Sequence, residues 1–430
     1  MRLLYVIHQF FPDCHSGTEQ HCLAAAREAQ RRGEEVTVLS LHWQHDRQQP
    51  TIELFDQPIE GLRVIRLNHW RGLNPNDVLR DYENLHLEGW FQRVLDDVRP
   101  DVVHSFHLRQ LGSNLLRVAK QFGARVVVSL TDFWFLCPRF TLLRPDGEVC
   151  SGPPDEGRGC ITCNHPELID VEADATTPAL TDTPPARAHA LLTRKQRQFA
   201  NLELADVIFA PSQFLANMFL ANGLQHEGFR SVPYGLEPGR IQAIATTRPR
   251  TPLRLGFCGV LSPWKGAHLL IEAVRNSQAS VQLTIHGRTE EAMFQDYIDG
   301  LRRQAGNDAR ITFAGAYAED DAARVFAEMD ILVVPSTWYE NTPFVMLEAF
   351  AAGVPVIASD LGGLSEIVEE GKNGTVFRAN DAADLQQRIE HIASSPDWWS
   401  GLDIRPLDEI SKCYDAFASA YCSAADAKPC

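Results

Sequence analysis

Residues Pro335 to Gly363, PSTWYENTPFVMLEAFAAGVPVIASDLGG, carry two carboxylates, Glu340 and Glu348, around the start of a predicted helix. The apolar segments MDILVVPS and VPVIAS flank this helix, and each is short enough for a buried parallel strand. We expect Thr342 to cap the helix and Pro343 to take its first position. The unit predicts a ligand site, because ligands of open α/β sheets bind beyond the carboxyl ends of strands, where helix N-termini attract anions.

Glu348 is surrounded in sequence by apolar and small residues, so we expect its carboxylate to be about half buried. Leaving such a group unpaired costs several kcal/mol. Two vicinal hydroxyls of a sugar would satisfy it, at about 1.5–3 kcal/mol for each charge-assisted hydrogen bond. The alternative is a solvated glutamate on the outer face of an amphipathic helix. The nearby Glu340 and the glycine turn Gly362–Gly363 favour the ligand interpretation.

The composition excludes several classes of protein. A chain of 430 residues has room for two or three domains, and a formal charge of -16 argues against general affinity for nucleic acid. No run reaches 18 apolar residues, and the apolar start LLYVI is interrupted at His8, too early for a signal peptide. We therefore expect a cytoplasmic protein with at most peripheral contact at the inner membrane face.

Two series of strands alternate with helices, which predicts an α/β fold with two doubly wound, Rossmann-like parallel-sheet lobes and a cleft between them. The first series is RLLYVIHQF, EEVTVLSL, GLRVIRL, DVVHSFH, ARVVVSL and ADVIFAPS, and the second is LRLGFCGVL, VQLTIHG, ARITFAGAY, MDILVVPS, VPVIAS and GTVFRA. We predict an N-terminal lobe over 1–245 with an insertion at 137–165, a C-terminal lobe over 246–400, and a terminal helix and tail over 401–430 that could pack back on the first lobe.

Two loops that follow strands indicate anion binding. Ser16 and Glu19 form a predicted capping box, and Gly17 between them would let a ligand approach the backbone closely. A plain tight turn is the alternative at this position. In GVLSPWKG, Lys265 falls in the first turn of a helix, where a cation opposes the helix dipole unless an anion such as diphosphate binds there. A solvated lysine is the alternative for Lys265.

Polar residues also follow strands of the first series. His104 and His107 lie near the end of DVVHSFH, and either imidazole could hydrogen-bond a sugar or polarise an acceptor. Strand alternation places them on opposite faces, so we expect one at most to be functional and the other to be a core histidine. Asp132 follows the next strand and is either a partner for an acceptor hydroxyl or a turn cap.

Four cysteines, Cys137, Cys150, Cys160 and Cys163, lie in the Gly- and Pro-rich insertion. Four thiolates in a segment with little core predict a structural zinc site. Free thiols, a disulfide pair and an iron–sulfur cluster are the alternatives. The following helix, ARAHALLTRKQRQFANLELAD, carries four basic residues that are either a solvated face or a contact for phosphate: Arg187, Arg194, Lys195 and Arg197.

Together these motifs resemble those of the retaining glycosyltransferases of family four, which have the GT-B fold. The resemblance extends over nearly the whole chain and is strongest in the two-glutamate element, in GVLSPWKG, and in the strand ends APSQF and SVPYGL. It implies that Glu348 binds the ribose hydroxyls of a nucleoside diphosphate sugar and Glu340 the hydroxyls of its sugar. It further implies that Lys265 binds the diphosphate, that the Gly17 loop contacts the phosphate or the sugar, and that catalysis needs no metal.

Some positions depart from the family's pattern. Val260 stands where many relatives have an arginine, so Lys265, helix N-termini or Arg288 must neutralise the diphosphate. Phe106 stands where the second histidine of a pair is usual, which leaves the choice between His104 and His107 open. The insertion resembles that of a subset of these enzymes. The resemblance thus gives Glu340, His107, His104 and Asp132 as catalytic candidates and, as donor-binding candidates, Gly17, Lys265, Arg288, Glu340, Asn341, Thr342, Pro343, Phe344 and Glu348.

The predicted function is transfer of a hexose from a nucleoside diphosphate sugar to a hydroxyl of a glycan or glycolipid, with retention of the anomeric configuration. Two alternatives stay open at the level of sequence. One is a nucleotide-sugar epimerase of similar fold, which would isomerise its donor without an acceptor. The other is a non-catalytic protein that binds a nucleotide sugar.

Overall fold

The computed structural model describes residues 1–42, 52–69, 78–173, 183–241 and 251–422. The chain divides into two compact units. Unit 1 comprises the residues up to Tyr234 and those from Ile410 onward, and unit 2 is Gly235–Glu409. The sequence predicted boundaries at 245 and 400. The first of these falls outside the described residues, and the structure divides the chain after residues 234 and 409.

Unit 1 is built on one eight-stranded sheet. Its strands are β1 (Arg2–Ile7), β2 (Glu35–His42), β3 (Ile52–Asp56), β4 (Arg63–His69), β5 (Val102–Ser105), β6 (Arg125–Ser129), β7 (Val207–Ala210) and β8 (Phe229–Ser231). The order across the sheet is β3-β4-β2-β1-β5-β6-β7-β8. All neighbours are parallel except β3 and β4, which pair in the antiparallel direction. The six strands of the first predicted series are confirmed, β8 lies at the strand end SVPYGL that the family resemblance marked, and the edge strand β3 is an addition to the prediction.

Unit 2 is built on a six-stranded sheet. Its strands are β9 (Leu253–Cys258), β10 (Val281–His286), β11 (Ile311–Phe313), β12 (Ile331–Val334), β13 (Val356–Ser359) and β14 (Gly374–Phe377). Their order is β11-β10-β9-β12-β13-β14, and every pair is parallel. The second predicted series of strands is confirmed. The strand order reverses between β9 and β12, which is the point where open α/β sheets form a crevice for ligands.

Helices cover both sheets. They are α1 (Gly17–Arg31), α2 (Val78–Tyr82), α3 (Glu88–Val98), α4 (Asn114–Phe122), α5 (Arg158–Asn164), α6 (Pro184–Leu202), α7 (Gln213–Ala221), α8 (Ala267–Asn276), α9 (Gln295–Ala305), α10 (Ala322–Ala327), α11 (Phe344–Ala352), α12 (Leu364–Ile367), α13 (Ala382–Ser394), α14 (Pro396–Ser400) and α15 (Ile410–Tyr421). The predicted capping box of α1 is confirmed, because the Glu19 carboxylate accepts from the N–H of Ser16 and the Ser16 side chain accepts from the N–H of Glu19.

Helix α15 completes the core of unit 1. Its apolar face, which includes Tyr414, Phe417 and Tyr421, is buried in one cluster with β1 and α1. The hydroxyls of Tyr421 and Tyr5 lie 3.1 Å apart within this core. The last helix of the described chain therefore belongs to the unit that contains its first strand.

Candidate functional site

Lys265 and Glu340 form an ion pair at the carboxyl edge of the sheet in unit 2. Lys265 follows β9 and Glu340 follows β12, the two strands at which the strand order reverses. The Lys265 Nζ donates to Glu340 Oε1 at 2.5 Å. The same oxygen accepts from Ser336 Oγ and from Trp338 Nε1, each at 2.8 Å. Glu340 is only 5% exposed, so these three donors fix the orientation of a nearly buried carboxylate.

Two glycines permit the backbone packing around this pair. Gly266 has a φ of +72°, and a Cβ built on it would lie 1.8 Å from the carbonyl oxygen of Pro335. A Cβ on Gly363 would lie 2.3 Å from the carbonyl oxygen of Asn341. The Gly363 N–H also donates to the carbonyl of Glu340 at 2.6 Å. The loop that carries Glu340 is thus held on two sides by backbone that only glycine allows.

Glu348 has a cationic partner that the sequence did not reveal. The Nε and Nη2 atoms of Arg240 lie 3.0 and 2.9 Å from Glu348 Oε1. Arg240 Nη1 lies 2.9 Å from Glu319 Oε1, so one guanidinium links two carboxylates. Glu348 is 7% exposed, more buried than expected, and burial raises its pKa although the Arg240 charge opposes that shift. The carboxylate therefore has a partner within the protein, whereas the sequence suggested only sugar hydroxyls for it.

Helix α11 begins one residue later than predicted. Pro343, rather than Thr342, is its N-cap, and Phe344 is its first residue. The reason is the ψ of 126° at Pro343, which is extended rather than helical. Asn341 and Thr342 are both buried beside Glu340. Because proline has no N–H, the first N–H groups that this helix can offer to an anion are those of Phe344 and the residues after it.

Arg288 and Val260 lie after neighbouring strands of the same sheet. Arg288 follows β10 and is exposed, and Val260 follows β9 and is 53% exposed. The predicted donor-side candidates of unit 2 therefore fall into a buried group around Glu340 and Glu348 and one exposed arginine.

In unit 1, His107 and Asp132 form a hydrogen-bonded pair. His107 Nε2 lies 3.1 Å from Asp132 Oδ2, and the backbone N–H of Arg109 donates to His107 Nδ1 at 3.2 Å. Because Nδ1 accepts, Nε2 carries the proton that points at Asp132. The other oxygen, Asp132 Oδ1, accepts from the N–H of Trp134 at 2.7 Å. Asp132 thus caps a turn, as one of the two interpretations had it, and also orients an imidazole, while its contact with an acceptor hydroxyl stays a prediction.

His8 is a third polar side chain at this edge and was not singled out as a candidate from the sequence. It directly follows β1, and its ring centroid lies 4.1 Å from that of His107. Burial lowers the pKa of His8 well below its ordinary value, and the neighbouring His107 and Arg109 lower it further. The position of His8 immediately after the first strand was the signal that could have identified it.

His104 lies in the core of unit 1. Its Nδ1 is 2.7 Å from the Tyr421 hydroxyl and its Nε2 is 2.8 Å from Ser129 Oγ. Its ring stacks on Phe106 with centroids 4.4 Å apart. With both nitrogens bonded inside the core, His104 has the arrangement of a structural histidine. Of the two histidines, only His107 is carried into the function proposed below.

Gly17, the candidate of the first loop, is the first residue of α1. Ser16 precedes it as N-cap, and Glu19 in the first turn is fully buried. The capping box binds two of the N–H positions that an anion would otherwise use, which leaves the N–H groups next to Gly17 for a ligand.

The four cysteines of the insertion are all free of disulfides and partly buried. Burial raises the pKa of the Cys160 thiol to about 12, and the charges of Cys137, Cys150 and Cys163 affect it as neighbours. Over the described ranges, no three side chains of His, Cys, Asp or Glu converge closely enough to hold a metal ion as they are placed.

The basic helix α6 is not the uniformly solvated face that was favoured from its sequence. The side chain of Arg194 is 3% exposed, and its Nη2 donates to the carbonyl of Trp134 at 2.5 Å. The side chain of Arg187 is 13% exposed and lies 2.8 Å from Glu167 Oε1. Both cations are therefore bound within unit 1 rather than solvated.

Comparison with protein families identifies the chain. A model described as Glycosyltransferase Family 4 matches residues 15–240, which is more than half of the chain, and one described as Glycosyl transferases group 1 matches residues 252–395. The chain belongs to glycosyltransferase family 4. This family 4 glycosyltransferase has the GT-B fold, because its solved neighbours of that fold cover almost all of it.

One such neighbour of the family 4 glycosyltransferase is Anabaena HepE in complex with UDP and glucose. It has a TM-score of 0.62 and 17% identity, with 98% of this chain and 94% of that chain covered. Sucrose-phosphate synthase from Thermosynechococcus elongatus has the same TM-score and identity and covers 97% of this chain and 94% of its own. These likenesses show the fold.

Curated relatives match only part of the chain. An uncharacterized glycosyltransferase of Methanocaldococcus jannaschii is 31% identical over 144 residues, 33% of this chain and 35% of the relative. A D-inositol 3-phosphate glycosyltransferase of Rhodococcus opacus is 28% identical over 189 residues, 38% of this chain and 42% of the relative. The matches thus span less than half the length of these relatives.

Among the described residues of this family 4 glycosyltransferase, no helix is long and apolar enough to cross a membrane.

Proposed function

We propose that this family 4 enzyme transfers a hexose from a nucleoside diphosphate sugar to a hydroxyl of a glycan or glycolipid, retains the anomeric configuration and uses no metal for catalysis. The observation that carries the proposal is the Lys265–Glu340 pair at the point where the strand order of unit 2 reverses. A cation beside a fixed, nearly buried carboxylate matches the two ends of such a donor, the anionic diphosphate and the hydroxylated sugar.

On the donor side, Lys265 and the first N–H groups of α11 bind the diphosphate. As the glycosidic bond to the phosphate breaks, negative charge grows on the leaving phosphate, and preorganised donors that stabilise such charge are usually the largest single term in catalysis. Glu340 hydrogen-bonds the hydroxyls of the donor sugar, with Asn341, Thr342, Pro343 and Phe344 forming the loop around them. The exposed Arg288 adds a second cation for the diphosphate.

Glu348 binds the ribose hydroxyls while Arg240 holds its carboxylate in place. All of the contacts between Arg240 and Glu348 described above go to Oε1. A vicinal diol therefore meets a carboxylate that is already oriented, and less ordering is needed when the ligand binds. The sequence suggested that sugar hydroxyls alone would satisfy this carboxylate, and here Arg240 shares that role.

In unit 1, we assign the acceptor to His107 and Asp132, and a donor phosphate or sugar contact to the Gly17 loop. The Asp132 carboxylate orients His107, and the pair hydrogen-bonds a hydroxyl of the acceptor or of the sugar. For front-face attack, the acceptor hydroxyl approaches on the same side as the departing phosphate, which can take its proton. The retention of configuration follows from that geometry.

The test starts with the donor. In a thermal-shift panel of UDP, GDP, ADP and dTDP, with and without their sugars, one nucleotide should stabilise the protein by about 2.7 kcal/mol at 100 times its Kd. UDP and UDP-glucose come first, because HepE was solved with UDP and glucose. Glu348→Ala should abolish the shift. The control is Glu272→Ala, which changes an exposed glutamate of α8 in the same unit and should leave the shift intact.

The nucleotide that binds then identifies the sugar donors for transfer assays against glycan and glycolipid acceptors. Product with the anomeric configuration of the donor, formed in the presence of EDTA, supports the proposal. Full turnover by Glu348→Ala at limiting donor would rule out the assignment of that residue. Isomerisation of the donor without an acceptor would favour the epimerase, and nucleotide binding with neither transfer nor donor hydrolysis would favour a non-catalytic protein.

A further inference from the structure

The loop between β5 and α4 holds a strained backbone conformation close to His107. Gln110 has a φ of +65°, in the left-handed region that residues other than glycine rarely adopt. Its N–H donates to the carbonyl of Asp81 at 2.7 Å, and its carbonyl accepts from Asn84 Nδ2 at 2.9 Å. Such strain persists where surrounding contacts maintain it, and it concentrates at functional sites. The loop therefore holds the residue before Gln110, Arg109, in a fixed position.

The side chain of Arg109 is oriented by two contacts. Its Nε donates to Asp81 Oδ1 at 3.2 Å, and the carbon at the centre of its guanidinium lies 5.1 Å from the centroid of the Phe140 ring. Asp81 is itself held in place, because its Oδ2 accepts from Trp134 Nε1 at 2.9 Å. The backbone N–H of Arg109 donates to His107 Nδ1. A preorganised guanidinium thus lies next to the imidazole that we assign to the acceptor.

The outer edge of this guanidinium has no protein partner. Neither Nη1 nor Nη2 of Arg109 donates a hydrogen bond to any residue that the structure describes. The side chain is 31% exposed, so a ligand can reach these two nitrogens. Arginine offers a planar pair of N–H groups that matches two oxygens of a carboxylate or a phosphate.

The positive charge of Arg109 is only partly neutralised. Within the described ranges, Asp81 is the one carboxylate closer than 4 Å to Arg109, and Asp81 also lies 3.9 Å from Nη2 of the buried Arg194. One carboxylate is therefore shared between two guanidinium groups. Burial and the charge of His107 lower the pKa of His8, and the charge of Arg109 lowers it further. An excess of positive charge thus remains at this edge of unit 1, where an anion would be favoured.

We propose that Arg109 binds an anionic group of the acceptor, a carboxylate or a phosphate, and that the enzyme therefore selects an acidic sugar over a neutral one. The inference rests on the proposed function, because it places the anion beside the hydroxyl that His107 and Asp132 bind. Two charge-assisted hydrogen bonds, one each from Nη1 and Nη2, fix the orientation of the acceptor as well as holding it. A neutral acceptor makes no such contact.

The anion stays bound during transfer and takes no part in the bond changes. The acceptor hydroxyl oxygen forms the new bond to the anomeric carbon of the donor sugar, and the bond from that carbon to the phosphate oxygen breaks. The hydroxyl proton passes to the departing phosphate. Arg109 therefore determines which acceptor is held and how it is oriented, while the stabilisation of the leaving group remains with the donor side.

Binding of small sugars to the full-length protein tests the anion site without a donor. By calorimetry, glucuronate or glucose 6-phosphate should bind the wild type at least about 10-fold more tightly than glucose, as expected for charge-assisted hydrogen bonds. The acidic sugar that binds more tightly shows whether the group is a carboxylate or a phosphate. Arg109→Gln should remove the difference from glucose. No difference between acidic and neutral sugars in the wild type would overturn the proposal, and this comparison needs no variant that folds.

Arg93→Gln is the matched control for binding. Arg93 is an exposed arginine of α3 in the same unit, and its guanidinium likewise lies over an aromatic ring, 4.5 Å from the Trp90 centroid. This variant should bind acidic sugars as the wild type does. Arg109→Lys keeps the charge but loses the planar pair of donors, so it should bind them more weakly than the wild type. Wild-type affinity for the acidic sugars in Arg109→Gln would overturn the proposal.

Acceptor competition separates this proposal from the proposed function. With the donor identified by the nucleotide panel, an acidic acceptor and its neutral counterpart react in one mixture, and the ratio of products gives the ratio of kcat/KM. We expect a preference of at least about 10-fold for the acidic acceptor, reduced in Arg109→Gln through a higher acceptor KM. Transfer to both acceptors at equal kcat/KM would overturn the acidic acceptor and leave sugar transfer standing. Tight binding of acidic sugars without any nucleotide shift would support the anion site and contradict the proposed function.

Discussion

At the scale of single residues, Lys265 illustrates how the partner of a candidate residue can be missed from the sequence. A lysine in the first turn after a strand predicted an anion in order to remove a conflict with the helix dipole. In the structure, Glu340 supplies part of the missing negative charge. The lysine therefore has two tasks in the proposed function, since it orients a carboxylate for the sugar and attracts the diphosphate.

Replacing this lysine should affect both catalysis and folding. We expect Lys265→Met to lower kcat/KM by at least about 100-fold, because one charge that stabilises the leaving group is lost. It should also lower the free energy of unfolding by about 3 kcal/mol, since Glu340 becomes an unpaired buried carboxylate. Steady-state kinetics and urea unfolding measure the two effects. Lys372→Met, at a lysine whose side chain is 65% exposed, should change neither, and equal losses in both variants would contradict the assignment.

His21 should contribute to acid sensitivity. Burial lowers its pKa from 6.5 to about 3, so the unfolded state takes up a proton at pH values where the folded state does not. Because of this difference, the free energy of unfolding is not reduced above pH 6.5. It decreases as the pH falls from there toward 3, by about 2 kcal/mol at pH 5. We expect the stability of His21→Gln to fall less between pH 7.5 and 5 than that of the wild type in urea unfolding. Identical slopes would show that His21 does not titrate as described.

The histidine pair shows what a sequence leaves open at this scale. His104 and His107 were equivalent candidates, and what separates them is the end of β5 at Ser105 together with the Tyr421 hydroxyl, which comes from a helix 317 residues away. Arg240 was missed for a similar reason, because it is 108 residues from Glu348. Local pattern does not encode such contacts. The candidate glutamate, lysine and histidine residues could be selected from the sequence, but their hydrogen-bond partners could not.

At the scale of elements, glycine turns decide where the loop of Glu340 lies. Gly266 and Gly371 offer a matched comparison, because their φ angles are +72° and +71°, but only Gly266 has another group, the Pro335 carbonyl, within 4 Å of a built Cβ. We expect Gly371→Ala to cost about 1 kcal/mol for backbone strain alone. Gly266→Ala should cost more and should also weaken nucleotide binding, because Lys265 moves with its neighbour.

Thermal unfolding and nucleotide titration of the two alanine variants make this comparison. Equal effects on stability, with unchanged nucleotide affinity in Gly266→Ala, would show that the close approach to Pro335 does not position the site.

The strands that were predicted and the strands that were missed differ in burial. Interior strands such as β1, β6 and β12 are continuous apolar runs, because helices cover both of their faces. The edge strand β3 has intermediate burial along most of its length, and β8 is three residues long. Neither has the apolar run or the regular alternation by which a strand is recognised in sequence. The prediction therefore missed the edge strand β3, and only the family resemblance marked the end of β8.

At the scale of the whole molecule, unit 1 is built from two distant parts of the chain. Phe417 of α15 is 1% exposed and belongs to the same core as β1. We expect Phe417→Ala to lower the free energy of unfolding by about 3–5 kcal/mol. Ser419→Ala, an exposed change on the same helix, is the control and should stay within about 0.5 kcal/mol of wild type. Guanidinium unfolding followed by far-UV circular dichroism reports the effect, and an unaltered midpoint would exclude α15 from this core.

The two-lobed α/β fold was predictable because it depends on the repeated alternation of strand and helix, which a sequence displays directly. The return of α15 to unit 1 was raised as one option from the sequence, since an amphipathic helix does not specify which surface it covers. Its partner surface is formed by residues near the start of the chain, and only the folded structure brings the two together.

The split composition of unit 1 has a consequence for folding during translation. Unit 2 is one continuous stretch of chain, so all of it is synthesised before α15. Unit 1 is synthesised first, yet its core is closed only when Ile410–Tyr421 arrives. Until then the nascent N-terminal sheet exposes apolar surface that chaperones recognise, although N-terminal domains usually complete their folding first during synthesis. In this chain the second unit to be synthesised is the first that can finish folding.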